Sequence, residues 1–181
     1  GLSVTCGVVS ALGRTNAGFN PIEDFVQTDA SINPGGSGGA LFDSDGRLIG
    51  IVSAIFTKNS DANIGVNFAA DIDLVRRVVE DLKAFGQVKT GMPGFRTARL
   101  KPQDRRRWSG VRIVHVNIDG AAAAAGLRVG DIVKHADGRQ IFRPSDLRAA
   151  IFLRRPGEKI LVRYFRDTDV EQTLLTLAPV H

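Results

Sequence analysis

Apolar and polar positions alternate over residues 4–12, Val-Thr-Cys-Gly-Val-Val-Ser-Ala-Leu, a β-branched run that predicts a strand. Phe25-Val26-Gln27 predicts a second, short one after the polar loop Asn16–Asp24. From residue 40 an apolar stretch runs into Asp45-Gly46 and out through Leu48-Ile49, the pattern of two strands joined by a tight turn. Ile49–Phe56 and Ile64–Ala70 predict two further strands on either side of the polar loop Thr57–Asn63. The period then changes. Ile72, Val75, Val79, Leu82 and Phe85 recur at spacings of three and four, which predicts a helix over Asp71–Phe85 with one apolar stripe. Asp71 suits its N-cap and Gly86 its C-terminal stop, and Arg76, Arg77, Glu80, Asp81 and Lys83 fall off the stripe. In the second half Pro144 suits a first helical position, and Asp146 in the first turn favours the helix dipole. Leu147, Ala150 and Ile151 share one face of that helix. Lys159–Phe165 and Val170–Leu177 predict the closing strands. The chain therefore reads as mainly β with a few helices.

Composition divides this pattern in two. The 181 residues are 43% hydrophobic, enough for one large domain or two small ones. Residues 1–90 carry a net charge of −3 and residues 91–181 one of +8, with the step at the linker Gln87–Gly91. The expected domains are thus 1–87 and 92–181. No apolar run approaches a transmembrane length. Cys6 is the only cysteine, which excludes an internal disulfide and a cysteine-based metal site, and its apolar setting predicts a buried thiol. The chain opens Gly-Leu-Ser, without an initiator methionine, and reads as a processed or truncated piece.

The chemistry concentrates in Thr28–Leu41, Thr-Asp-Ala-Ser-Ile-Asn-Pro-Gly-Gly-Ser-Gly-Gly-Ala-Leu. Glycines on both sides of Ser37 let the main chain bend tightly and leave N–H groups uncovered, as an oxyanion-stabilising loop requires. On that reading Ser37 is a nucleophile within the loop Gly35, Gly36 and Ser37, and the N–H groups of Gly35 and Ser37 are the oxyanion donors. A Gly/Ser turn without chemistry is the alternative for the five residues alone. The flanks favour the first reading. With Val4–Arg14, the stretch closely resembles the nucleophile segment of the HtrA/Deg family of trypsin-like serine proteases, Thr-Asp-Ala-x-Ile-Asn-Pro-Gly-x-Ser-Gly-Gly-Ala-Leu. Gly36 stands where the family has Asn, so the resemblance implies a less firmly held oxyanion loop. It also implies that residues 1–87 form the second β-barrel of a chymotrypsin/trypsin-like domain, closed by the helix at 71–85. Asn33, Val52, Ser53, Ala54 and Asn67 would wall the primary specificity pocket. Asn67, replacing a family glycine, would narrow or polarise it in favour of small aliphatic side chains.

Residues 92–181 resemble a PDZ domain of the same family. The resemblance rests on Gly120-Ala-Ala-Ala-Ala-Ala-Gly-Leu-Arg-Val-Gly-Asp-Ile-Val and on Asp137-Gly138-Arg139-Gln140-Ile141. PDZ domains bind extended peptides by strand addition and hold a terminal carboxylate with successive backbone N–H groups. The matching loop is Met92-Pro93-Gly94-Phe95, and the groove would lie between the following strand and the helix bearing Leu147 and Ile151. Pro93 has no N–H to give, which implies weaker or internal-segment peptide binding. Arg105-Arg106-Arg107-Trp108 reads as a solvated loop and not as a nucleic-acid site. His115, His135 and His181 lack the company of a metal site. No cofactor is implied.

A serine hydroxyl needs a base, and none of the three histidines lies between residues 1 and 90. The resemblance places the triad His and Asp in a first barrel preceding Val4. The expected function is a fragment of an HtrA-type endopeptidase of protein quality control, acting on unfolded or misfolded proteins in the periplasm or cell envelope. The alternative is a pseudoprotease or PDZ peptide-binding scaffold. The fragment alone is expected to be inactive and to self-associate, or to miss its mate, through the face the first barrel would cover.

Overall fold

The computed structural model describes residues 3–33, 35–55 and 65–180, with the side chains of 54 and 55 outside the description. The expected loop 57–63, Phe56, Ile64, Pro34 and His181 lie outside the described residues. The chain divides into two compact units, Gly1–Gly86 and Gln87–His181.

Unit 1 is built on an antiparallel sheet. Its strands are β1 (Val9–Arg14), β2 (Phe25–Thr28), β3 (Ala40–Phe42), β4 (Leu48–Ile55) and β5 (Asn67–Asp71), in the order β1-β2-β5-β4-β3. The β3–β4 hairpin turns where Asp43 accepts the N–H groups of Asp45 (2.9 Å) and Arg47 (2.8 Å) on its carboxylate, an Asx-type turn. Helix α1 (Ile72–Phe85) follows, with the Asp71 carboxylate accepting the Asp73 N–H and Gly86 in the left-handed conformation at its end. Phe25 and Phe68 pack in this unit's core with ring centroids 5.5 Å apart, and exposed Phe19 covers them at 5.9–6.1 Å.

Three expectations are corrected in unit 1. The first strand begins at Val9, not Val4, and Cys6 is exposed. Because β1 is an edge strand pairing only with β2, the residues leading into it have no second layer to bury them. The α1 stripe does not face inward as a whole. Arg77 and Asp81 are the buried positions and form an ion pair, while Val79, Leu82 and Phe85 stand about half exposed. Periodicity shows that a helix has faces. It cannot say which face wins when a charged pair satisfies itself at i,i+4.

Unit 2 contains β6 (Gly91–Met92), β7 (Phe95–Arg99), β8 (Val111–Val116), α2 (Ala121–Ala124), β9 (Ile132–Ala136), β10 (Arg139–Gln140), α3 (Pro144–Phe152), β11 (Lys159–Arg166), β12 (Asp169–Thr176) and β13 (Ala178–Pro179). The main sheet runs β12-β11-β9-β8-β7, with β10 on β9, and β6 pairs separately with β13. Pro144 opens α3 at its first turn, and the Asp146 carboxylate accepts the N–H groups of Phe142 (2.9 Å) and Arg143 (2.8 Å). One continuous core joins Ile113, Val133, Ile141, Leu147, Ile160, Val162 and Leu175, each no more than 2% exposed. Above it, Asp131 receives the Arg166 guanidinium through two bonds of 3.0 and 2.8 Å and the Arg128 N–H at 2.8 Å. This ties the Gly-Leu-Arg-Val-Gly-Asp segment to β11. The Tyr164 hydroxyl donates to Glu171 (2.8 Å); burial, then that bond, pushes its pKa up to about 12.

Candidate functional site

The Ser37 loop is built by main-chain bonds to β4. Gly38 N–H donates to Val52 C=O (2.8 Å), and Val52 N–H returns a bond to Gly39 C=O (2.8 Å). Gly36 N–H donates to Asn33 C=O (2.9 Å), and Gly39 N–H to Gly36 C=O (3.0 Å). Three of the five N–H groups from Gly35 to Gly39 are thereby engaged. Among the described residues, those of Gly35 and Ser37 have no acceptor, and Ser37 itself is exposed. The engaged Gly36 N–H is thus not a third donor to an oxyanion, although it was grouped with the loop on sequence. Three glycines are required by geometry. Gly35 and Gly38 sit at φ +93° and +84°, and a Cβ on Gly39 would lie 2.9 Å from Gly36 O.

Of the expected pocket residues, Val52 is bonded directly to this loop. Val52 is half-buried in β4, Ser53 is exposed beside it, and Asn33 is exposed at the start of the turn. The Ala54 side chain lies outside the described residues. Asn67 is fully buried in β5, directly opposite Thr28, and its Nδ2 donates to the C=O of Ala30 at 2.9 Å. Its amide therefore fills space beside the chain that leads to Ser37.

Sequence patterns did not single out Glu23. Its carboxylate, only 5% exposed, accepts the N–H groups of Ala17, Gly18, Phe19 and Asn20 at 2.6–3.0 Å. Burial pushes its pKa up, but the four N–H bonds outweigh this and hold it below the usual glutamate value. A turn of four successive N–H groups around one acid three to six residues onward was the available signal.

In unit 2, Met92 is exposed, and Pro93, Gly94 and Phe95 are half-buried. Gly94, at φ +75°, brings this turn so close to the start of α2 that a Cβ would lie 2.9 Å from Ala121 N, while its C=O accepts Asn117 N–H at 2.9 Å. Its own N–H has no acceptor among the described residues. β7 pairs with β8 on one side only and is the edge of its sheet, beside α3. Leu147 and Ile151 turn into the core, 2% and 7% exposed, so little of either is left to line a groove. The helix face that the sequence marks as apolar is used up by packing on the sheet. His115 is exposed, and burial, then the charges of Lys134 and Arg163, lowers the pKa of half-buried His135. Among the described residues no cluster could hold a metal ion, and no helix is long and apolar enough to cross a membrane.

Comparison with known proteins bears on both units. The profile of the PDZ domain matches residues 63–177, and that of the trypsin-like peptidase domain residues 1–51. The periplasmic pH-dependent serine endoprotease DegQ of Escherichia coli (strain K12) is 34% identical over 97% of this chain and 40% of its own length. The periplasmic serine endoprotease DegP of the same strain is 36% identical over 92% and 36%. Protease Do-like 1, chloroplastic, of Arabidopsis thaliana is 35% identical over 98% and 43%. The chain thus spans about two fifths of the length of these relatives. Among solved structures, the HtrA-type protease AlgW with decapeptide aligns with a TM-score of 0.65 at 35% identity, covering 100% of this chain and 57% of that one. The chain belongs to the HtrA/Deg family, as a trypsin-like protease segment followed by a PDZ domain.

Proposed function

We propose that this chain is the nucleophile-bearing and peptide-binding portion of an HtrA-type serine endopeptidase acting on unfolded or misfolded proteins. Ser37 is its acyl-forming nucleophile. The observation that carries this is the pair of N–H groups at Gly35 and Ser37, without acceptors among the described residues, flanking an exposed hydroxyl in a loop bonded to β4. In acyl transfer Ser37 Oγ attacks the scissile carbonyl while a base removes its proton. The carbonyl oxygen takes the negative charge, and the two N–H groups donate to that oxyanion. Collapse expels the amine, which takes a proton from the protonated base, and leaves an acyl ester on Ser37 for water to hydrolyse. The pocket formed by Asn33, Val52, Ser53, Ala54 and Asn67 takes small aliphatic side chains, because the buried Asn67 amide occupies depth that the family glycine would leave open.

The base is supplied from outside residues 1–90, which contain no histidine. The chain alone therefore has essentially no peptidase activity; losing a triad histidine costs on the order of 10⁶ in turnover. We assign residues 1–87 to the trypsin-like segment and 92–181 to the PDZ domain, whose loop Met92–Phe95 and edge strand β7 take a peptide by strand addition. The solved HtrA-type protease AlgW with a decapeptide or a tripeptide supports that assignment. Val4, Val8, Leu12 and Phe42 stand exposed on unit 1 and are covered by the rest of a trypsin-like domain or by a second copy. The bacterial relatives named above are periplasmic, which supports an envelope location. A fluorophosphonate probe tests the assignment on the longer parent protein. Labelling that Ser37→Ala abolishes is expected, and an unlabelled parent would instead be a peptide-binding scaffold. Ser37-dependent cleavage of unfolded casein by this chain alone would refute its inactivity.

A further inference from the structure

Unit 2 holds a cavity of about 320 Å³ at the far end of β7 from the Met92–Phe95 loop. Arg99, Arg105 and Arg143 line it, together with Trp108 and Phe142. The three arginines come from the end of β7, the 3₁₀ turn Asp104–Arg106 and the residue that precedes α3. All three are exposed, and none has an ion pair among the described residues. Two carboxylates lie nearby. Asp104 pairs with Arg112 (3.2 Å), and Asp146 accepts the N–H groups of Phe142 and Arg143. Only Arg105 Nε is engaged, by the C=O of Leu100 at 2.9 Å, which fixes the guanidinium in place. Three arginines against two nearby carboxylates, one of them already paired with Arg112, leave a concave, net positive site with Trp108 and Phe142 in its walls, which suits a carboxylate-bearing ligand.

Its position identifies that ligand. A peptide whose terminus sits at the start of β7 runs antiparallel along that strand and reaches Arg99 four residues upstream, ~13 Å away at ~3.3 Å per residue. We propose that the Arg99–Arg105–Arg143 cavity is an upstream subsite that selects peptides with acidic side chains about five to seven residues from their C-terminus. The inference rests on the peptide-binding reading of β7. A nucleic acid fits less well. Of the two aromatic rings at the cavity, Trp108 is already packed on Phe165 (4.7 Å between centroids) and covered by Arg107 at 4.8 Å, which leaves exposed Phe142 alone where a single strand stacks successive bases on several rings.

The test uses the full chain and two fluorescein-labelled peptides, Ser-Gly-Glu-Glu-Glu-Thr-Tyr-Val-Phe and its counterpart with Gln for each Glu, followed by anisotropy. The acidic peptide is expected to bind about tenfold more tightly at low ionic strength, with the gap shrinking as salt is raised. The triple variant Arg99→Gln, Arg105→Gln, Arg143→Gln should lose that gap while binding the Gln peptide as the parent chain does, which also shows that it is folded. Equal binding of both peptides by the parent chain, or a gap that survives in the triple variant, overturns the subsite. If neither peptide binds, the strand-addition reading falls and the subsite with it. Displacement of the acidic peptide by an oligothymidylate at lower concentration than by free Gln peptide would assign the cavity to nucleic acid and overturn the proposal.

Discussion

The two units solve the problem of a small β-fold in opposite ways. Unit 2 encloses one apolar core between its sheet and α3, from Val111 and Ile113 through Ile141 and Leu147 to Leu175 and Leu177. Its buried charge, Asp131, is met by the forked guanidinium of Arg166 and a backbone N–H. Among the described residues unit 1 buries fewer apolar side chains, chiefly Phe25, Val26, Ile32 and Phe68, and relies on polar anchors: Glu23 in its cradle of four N–H groups, Asn67 on Ala30, and Arg77 with Asp81. Meanwhile Val79, Leu82, Phe42 and Leu12 remain exposed. Unit 2 gathers its buried apolar side chains in one cluster, although Ile118, Val129, Phe142, Val170 and Leu174 stay exposed. A unit that carries a reactive loop holds its geometry with directional bonds, which fix position where non-directional apolar contact does not.

The largest effect expected on this contrast is in unit 1. Asp81→Ala removes the carboxylate from buried Arg77 and should destabilise the unit by ~3–5 kcal/mol, whereas Arg77→Met with Asp81→Leu should come out near neutral. Calorimetry, resolving two transitions, checks this; equal losses in both variants would show that the pair is not acting as a buried ion pair. In unit 2, Ile160→Ala opens a cavity in the closed core and should cost about 3 kcal/mol. Trp108 fluorescence in urea reads that loss, and the transition of unit 1 should not move with it.

Glu23→Gln is next, at about 1–3 kcal/mol, since the charge-assisted bonds to residues 17–20 weaken together. The pH dependence has a definite sign. The folded carboxyl is held below its ordinary value of 4.5, so its contribution is full above that pH and is lost as pH falls through the lower folded value. The parent chain should therefore lose stability in acid faster than Glu23→Gln, and parallel acid-unfolding curves would remove Glu23 from the account. The smallest effect belongs to the nucleophile. Ser37 is exposed and its side chain makes no hydrogen bond among the described residues, so Ser37→Ala should change stability by less than about 0.5 kcal/mol by thermal melt while abolishing probe labelling in the parent protein. A larger shift would mean that the hydroxyl supports the loop.

Much of this protein is legible in its residues because the signals are local. Asp71, Gly86, Pro144 and Asp146 mark helix ends through bonds made within one turn, and each sits in the cap or first turn that its chemistry suits. The glycine run around Ser37 announces a tight loop for the same reason: backbone freedom is a property of the residue itself. Tertiary structure alone decided which face of α1 turned inward, that Cys6 stayed exposed, and that Leu147 and Ile151 were consumed by the core. It also joined Arg99, Arg105 and Arg143, separated by up to 44 positions, around one cavity. Short-range bonds are set by neighbours in the chain. Burial and charge pairing are set by neighbours in space, and those exist only once the sheet has closed.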